Sequence, residues 1–246
     1  LLGGAAARDQ IGDITRNLGH LDLASREYSQ AMAARKRLVD ASGGKDEEAI
    51  AALSTSHLKL ASSFYARGDT RRALEEFQET ERLRAALAAA DPENTGRQLD
   101  LARARTQVAD IERELGRFDT AFDTYEKALA IVDSLLRKDA GNASWRRERG
   151  IILSNWGYAK LEPGLADEAI RLLDQGLANH SALVQKDPTN TSWLIDLSRL
   201  HFRLGDAHVW KGDLTAALSQ YAAARTIREQ LLARDPRSPL WRRLVA

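Results

Sequence analysis

The chain has 246 residues, with 43% hydrophobic and 29% charged side chains, a formal net charge of +1 and no cysteine. Disulfides and thiolate metal sites are thereby excluded, and the near-neutral balance gives no basic footprint for nucleic acid or an anionic membrane. No apolar run approaches the ~20 residues that a membrane-spanning helix needs, and a cysteine-free chain of this composition points to the cytoplasm.

The first segment, residues 1–44, reads as two helices near 3–18 and 21–40. Gly19, Ala24 and Tyr28 mark their junction and packing. A soft stretch, Ala41-Ser42-Gly43-Gly44-Lys45, follows as the expected joint. From there the sequence repeats. Gly68, Gly116, Gly164 and Gly212 are spaced by 48, and so are Asp91, Asp139, Asp187 and Asp235. Ala73, Ala121, Ala169 and Ala217 keep the same step, as do Trp145, Trp193 and Trp241. A fixed period of this size is the signature of stacked supersecondary units, which bury their apolar faces against their neighbours.

Apolar residues at helical spacing place further helices near 46–66 and 70–90, 95–115 and 118–138, 143–161 and 166–186, and 191–211 and 214–234. Each turn glycine is expected beyond the end of a first helix, where positive φ costs it little. Asp213 is expected to cap the second helix after it, and Asn94, Asn142 and Asn190 to cap first helices. Asp91-Pro92, Asp187-Pro188 and Asp235-Pro236 stop the second helices. Pro163 biases Glu162 out of the helix. The repeats fall at about 1–44, 45–93, 94–141, 142–189 and 190–237, and 238–246 opens a sixth, so we expect a single array that is a piece of a longer protein.

Small residues Gly12, Ala61, Ala109, Gly157 and Gly205 recur in the first helices, twelve residues before the alanines of the second. Tyr28, Phe77, Tyr125, Leu173 and Tyr221 supply the bulk beside them. This combination, Leu204-Gly205 with Ala217, Tyr221 and Ala224, resembles the tetratricopeptide repeat, with a 48-residue unit in place of the usual ~34. The resemblance covers the whole chain. It implies an all-α, right-handed superhelical solenoid of five hairpins. It also implies a non-catalytic module for protein interaction, sensing or scaffolding, of the kind found in multidomain bacterial signalling and defence proteins.

The family binds ligands on the concave face through first-helix residues. The positions that resemblance selects are Tyr65, Arg103, Arg113, Tyr158, Arg199 and Phe202, and they suit a protein or peptide partner, including another domain of the same parent protein. The Lys–Asn pair by which one subfamily grips a C-terminal carboxylate is missing: the equivalent pairs include Leu58/Ser62, Thr106/Asp110 and Phe202/Asp206. Two rival readings stand beside this one: a module that only self-associates, and an enzyme with its site inside the repeats. No nucleophile–base signature or phosphate loop supports the second rival. No cofactor, metal, nucleic acid or membrane is expected as a ligand, and His201 and His208, seven apart, lack a carboxylate on their face. The periodic tryptophans are expected to be packing residues. Arg146, Arg147 and Arg149 crowd a helix N-terminus and are expected to form a solvated face or, in the sharper reading, an acidic-partner contact.

Overall fold

The computed structural model describes residues 2–245, and for Leu2, Pro239, Leu240 and Val245 only the backbone. Every regular element among the described residues is helical: α1 (Leu2–Asn17), α2 (Leu21–Ala41), α3 (Glu47–Ala66), α4 (Thr70–Ala90), α5 (Thr95–Glu114), α6 (Phe118–Lys138), α7 (Ala143–Ala159), α8 (Ala166–Lys186), α9 (Thr191–Lys211), α10 (Leu214–Arg234) and α11 (Pro239–Val245). None of them is long and apolar enough to cross a membrane. The chain forms two compact units, Leu1–Thr124 and Tyr125–Ala246, which divide within α6.

Local chemistry sets the boundaries. Gly68, Gly116, Gly164 and Gly212 all have φ between 74° and 84°, so each helix-to-helix reversal rests on the one residue that takes this conformation without strain. The Asn94, Asn142 and Asn190 side chains accept hydrogen bonds from the N–H groups of Arg97, Trp145 and Trp193. Asp69 and Asp213 accept from Arg72 and Ala216 in the same way. Each such cap stabilises its helix by about 1 kcal/mol. The recurring aspartates fold the linker themselves, with or without a following proline: Asp139, Asp187 and Asp235 accept from the N–H two residues on. The helix before Pro163 ends at Ala159, two residues short of the spacing-based limit, because the proline cannot join it.

In the first unit α1 to α5 pack consecutively. Their core joins Ala24, Tyr28, Leu60, Ala61, Phe64 and Phe77 to Leu74, Val108 and Ile111. In the second unit α7 to α11 do the same, around Leu161, Leu173, Leu200 and Leu204 in one cluster and Leu194, Leu231 and Trp241 in another. Burying each such aliphatic side chain stabilises the fold by about 1.5–3 kcal/mol. The small first-helix residues are sterically required. A Cβ at Gly12 would stand 2.5 Å from the Tyr28 ring, and one at Gly157 2.8 Å from Leu173. Trp241 is buried against α10, whereas Trp145 and Trp193 are half-buried.

Candidate functional site

Within each unit, neighbouring first helices are tied to one another by polar side chains about one repeat apart. In the first unit Lys59 Nζ donates to Asp13 at 2.7 Å, Arg97 Nη2 to Glu47 at 2.6 Å and Tyr65 Oη to Glu114 at 2.5 Å. The Glu114 carboxylate raises the Tyr65 phenol above its ordinary range, and burial adds to this. Burial pushes the Asp13 carboxyl up, but hydrogen bonds from Lys59 and Tyr28 outweigh it and hold the group low. In the second unit Arg147 Nε donates to Asp196 at 2.7 Å. Arg203 Nη1 donates to Ser154 at 2.8 Å and to Asn155 at 2.7 Å, with its guanidinium 4.9 Å from the Tyr158 ring centre. These bridges fix the first-helix surfaces as preformed platforms.

The candidate residues distribute over these platforms unevenly. Tyr65 and Arg113 meet at Glu114, which takes a hydrogen bond from one and an ion pair at 3.4 Å from the other. Arg103 lies near the middle of α5, half-exposed and 3.7 Å from Asp100. Between α3, α4 and α5 a cavity of about 120 Å³ is lined by Ser54, Thr55, Arg84, Arg97 and Asp100. Burial holds the Arg84 guanidinium below its usual range. In the second unit Tyr158 lines a depression of about 270 Å³ with Leu161, Asp206, Val209, Trp210 and Tyr221. Burial and the hydrogen bond to Asp206 push the Tyr221 phenol up to about 12. Arg199 is half-exposed in the first half of α9, 3.6 Å from Asp196. Phe202 packs against Tyr221 of α10, ring centres 5.4 Å apart, and lies under the Arg228 guanidinium.

Sequence reasoning missed Trp210, which is exposed and has no repeated counterpart. It also missed a buried polar cluster: His180 is fully buried, its Nε2 3.6 Å from the same Asp196 oxygen that Arg147 contacts. Burial pushes the Asp196 carboxyl up, but His180 and Arg147 together outweigh it and hold the group below the ordinary carboxylate range. The signal was present in Gly150, a mid-helix glycine off the 48-residue pattern: a Cβ there would stand 2.2 Å from His180.

The arginine run is not a bare solvated face. Arg146 donates to the Ala140 carbonyl, Arg147 pairs with Asp196 and Arg149 pairs with Asp133 at 2.6 Å. His201 is engaged with Gln220 at 2.7 Å, and the described residues include no group of three or more His, Cys, Asp or Glu side chains able to hold a metal.

Paired helices of 48-residue period, a glycine reversal and a small residue packed under an aromatic together define the unit. Residues 102–131 match the family model of the tetratricopeptide repeat. The chain folds as an array of helical hairpins similar to the tetratricopeptide repeat. No protein with curated annotation matches it in sequence. Among solved structures, the array is similar to a kinesin light chain-like protein of Podosopora anserina with nearly identical TPR-like repeats, at 20% identity and a TM-score of 0.62, over 97% of this chain and 99% of that one. It is also similar to BtubC (BKLC) from P. vanneervenii, at 17% identity and a TM-score of 0.57, over 93% and 91%. A third likeness is to the apo form of RapI, at 14% identity and a TM-score of 0.65; 92% of the array matches 54% of that longer chain. At these identities the likeness is one of fold.

Proposed function

We propose that this array is a non-catalytic protein-interaction module that binds a peptide or protein segment along its first helices, as part of a larger, bacterial, cytoplasmic protein. The observation that carries this reading is the preformed first-helix platform in each unit, braced by repeat-spaced bridges such as Tyr65–Glu114 and Arg203–Ser154. A braced surface loses little conformational entropy when a partner binds. Tyr65, Arg103 and Arg113 form the contact set in the first unit, and Tyr158, Arg199 and Phe202 the set in the second. The partner that suits them has apolar anchors and acidic groups: aromatic faces accept the anchors, and half-exposed Arg103 and Arg199 attract the acids. The cavity bearing Arg84 and Arg97 gives one acidic side chain a defined place in the first unit.

Selection of displayed peptides against the immobilised chain tests the reading. Enriched peptides should combine acidic and large apolar residues, and should bind Arg103→Glu/Arg199→Glu at least tenfold more weakly. An enriched set without acidic residues, or one that ignores the double substitution, would refute it.

A further inference from the structure

The position sixteen residues after the turn glycine is held by Arg35, Arg84, Val132, His180 and Arg228 in the successive hairpins. The four basic residues of this series are buried or half-buried, where a positive charge needs a partner. Three of them have one. Arg35 pairs with Asp9 of its own hairpin at 2.7 Å. His180 stands 3.6 Å from Asp196 of the following first helix. The Arg228 guanidinium lies 5.0 Å from the Phe202 ring centre.

Arg84 is the exception. In its hairpin the register of Asp9 and Phe202 is occupied by Leu58, which has no charge or ring to offer. Asp100 stands at the register of Asp196, but Arg84 Nη1 donates to the Asp100 carbonyl, at 3.0 Å, and not to its carboxylate. That carboxylate turns to Arg103. Among the described residues no carboxylate comes within ion-pair distance of Arg84. Its charge is desolvated by burial without being compensated.

The missing partner has a place to stand. Arg84 lines the cavity of about 120 Å³ between α3, α4 and α5, which is far larger than one water requires. The other polar walls are already engaged. Arg97 is committed to Glu47 at 2.6 Å, and the Ser54 and Thr55 hydroxyls donate to the Ala51 carbonyl. Arg84 therefore supplies the free N–H donors, since a guanidinium has more of them than one carbonyl uses. The charges can be counted in the same way. Arg97 offsets Glu47 and Arg103 offsets Asp100, which leaves the single positive charge of Arg84. One carboxylate neutralises it and matches the fork of a guanidinium. A dianion would exceed that charge and would face Asp100.

We infer that the Arg84 cavity is a binding site for one carboxylate, that of a glutamate or aspartate side chain, held by Arg84 much as Asp9 is held by Arg35. The inference rests on the reading that an acidic group enters this cavity. It adds which group enters, which residue holds it, and that a single amino acid suffices without a peptide groove.

Nitrogen–proton correlation spectra of the full chain, titrated with N-acetylglutamate amide at constant ionic strength, test it. The blocked amino acid should shift the Arg84 side-chain signal and the Thr55 and Arg97 amides saturably. N-acetylglutamine amide, its neutral counterpart, and sulfate, a dianion, should each bind at least tenfold more weakly. Arg84→Met, which keeps the apolar stem and removes the charge, should also bind at least tenfold more weakly. Asp100 is exposed, so Asp100→Asn should fold as the unaltered chain does. It should bind the probe roughly two- to fivefold more tightly, the size of one near-surface charge interaction. Circular dichroism checks both variants, and Asp100→Asn keeps the test intact if Arg84→Met does not fold. The absence of a saturable shift would overturn the inference, as would sulfate or the glutamine compound binding as well as the glutamate. Binding seen only in Asp100→Asn would overturn it too, because Asp100 would then be the counter-ion of Arg84 in solution. None of these failures touches the first-helix reading, which peptide selection tests through Arg103 and Arg199 outside this cavity.

Discussion

A methyl group on residue 205 would stand 2.4 Å from the Tyr221 ring, so the glycine of α9 and the aromatic of α10 are held in one steric relationship. Gly12 and Tyr28 stand in the same relationship. Gly205→Ala must therefore displace Tyr221 and disturb its 2.6 Å hydrogen bond to Asp206. We expect a loss of about 1–3 kcal/mol for this substitution and for Gly12→Ala, although alanine is the better helix former. Urea unfolding followed by circular dichroism measures it.

The aromatic side of the same contact should show a gradient along the array. Tyr28 is fully buried, whereas Tyr221, at the last hairpin, is half-buried. Tyr28→Ala should cost about 3–5 kcal/mol through lost burial and a cavity. Tyr221→Ala should cost clearly less, because solvent already reaches the site. Equal losses in denaturant titrations would mean that Tyr221 is covered in solution.

Much of this architecture was legible in the sequence because its determinants are local and repeated. A glycine at positive φ, an asparagine cap and a small residue facing an aromatic each impose a requirement at every copy, so the 48-residue step exposes them together. What could not be read was non-periodic and long-range. The cluster of His180, Asp196 and Arg147 joins three helices and occurs once, as does the buried ion pair of Arg35 with Asp9, which also engages Ser56. Phe202 illustrates a different limit. Its counterparts Thr106 and Ser154 are buried, while Phe202 itself is exposed. The sequence of one helix does not state which neighbour lies over it. Among the site candidates, residue type and helix position were readable, but the meeting of Tyr65 and Arg113 at Glu114 was not.

Acid should act through Asp196. Its carboxyl is held below the ordinary value of 3.8 in the folded state, so ionisation there favours folding. That stability is fully present above the unfolded value and is lost as pH falls through the lower folded value. Asp196→Asn removes the charge and leaves His180 and Arg147 without their carboxylate. We expect the variant to be less stable at neutral pH by about 1–3 kcal/mol. The difference from the unaltered chain should shrink as the medium is acidified below the ordinary carboxylate range. Chemical unfolding across an acid pH series should show the two curves converge.

Salt should weaken partner binding in proportion to the role of Arg103 and Arg199. Both are half-exposed, so their attraction for acidic groups is screened at high ionic strength. Isothermal titration with a selected acidic peptide should give affinity that falls with added salt for the unaltered chain, and a much flatter dependence for Arg103→Glu/Arg199→Glu.

The central claim is that partners bind along the first helices. Hydrogen–deuterium exchange of the chain with and without a selected peptide tests it most directly. The account predicts that the peptide slows exchange in α3, α5, α7 and α9, with α4, α8 and α10 little changed. Protection confined to α4, α8 and α10 would contradict it.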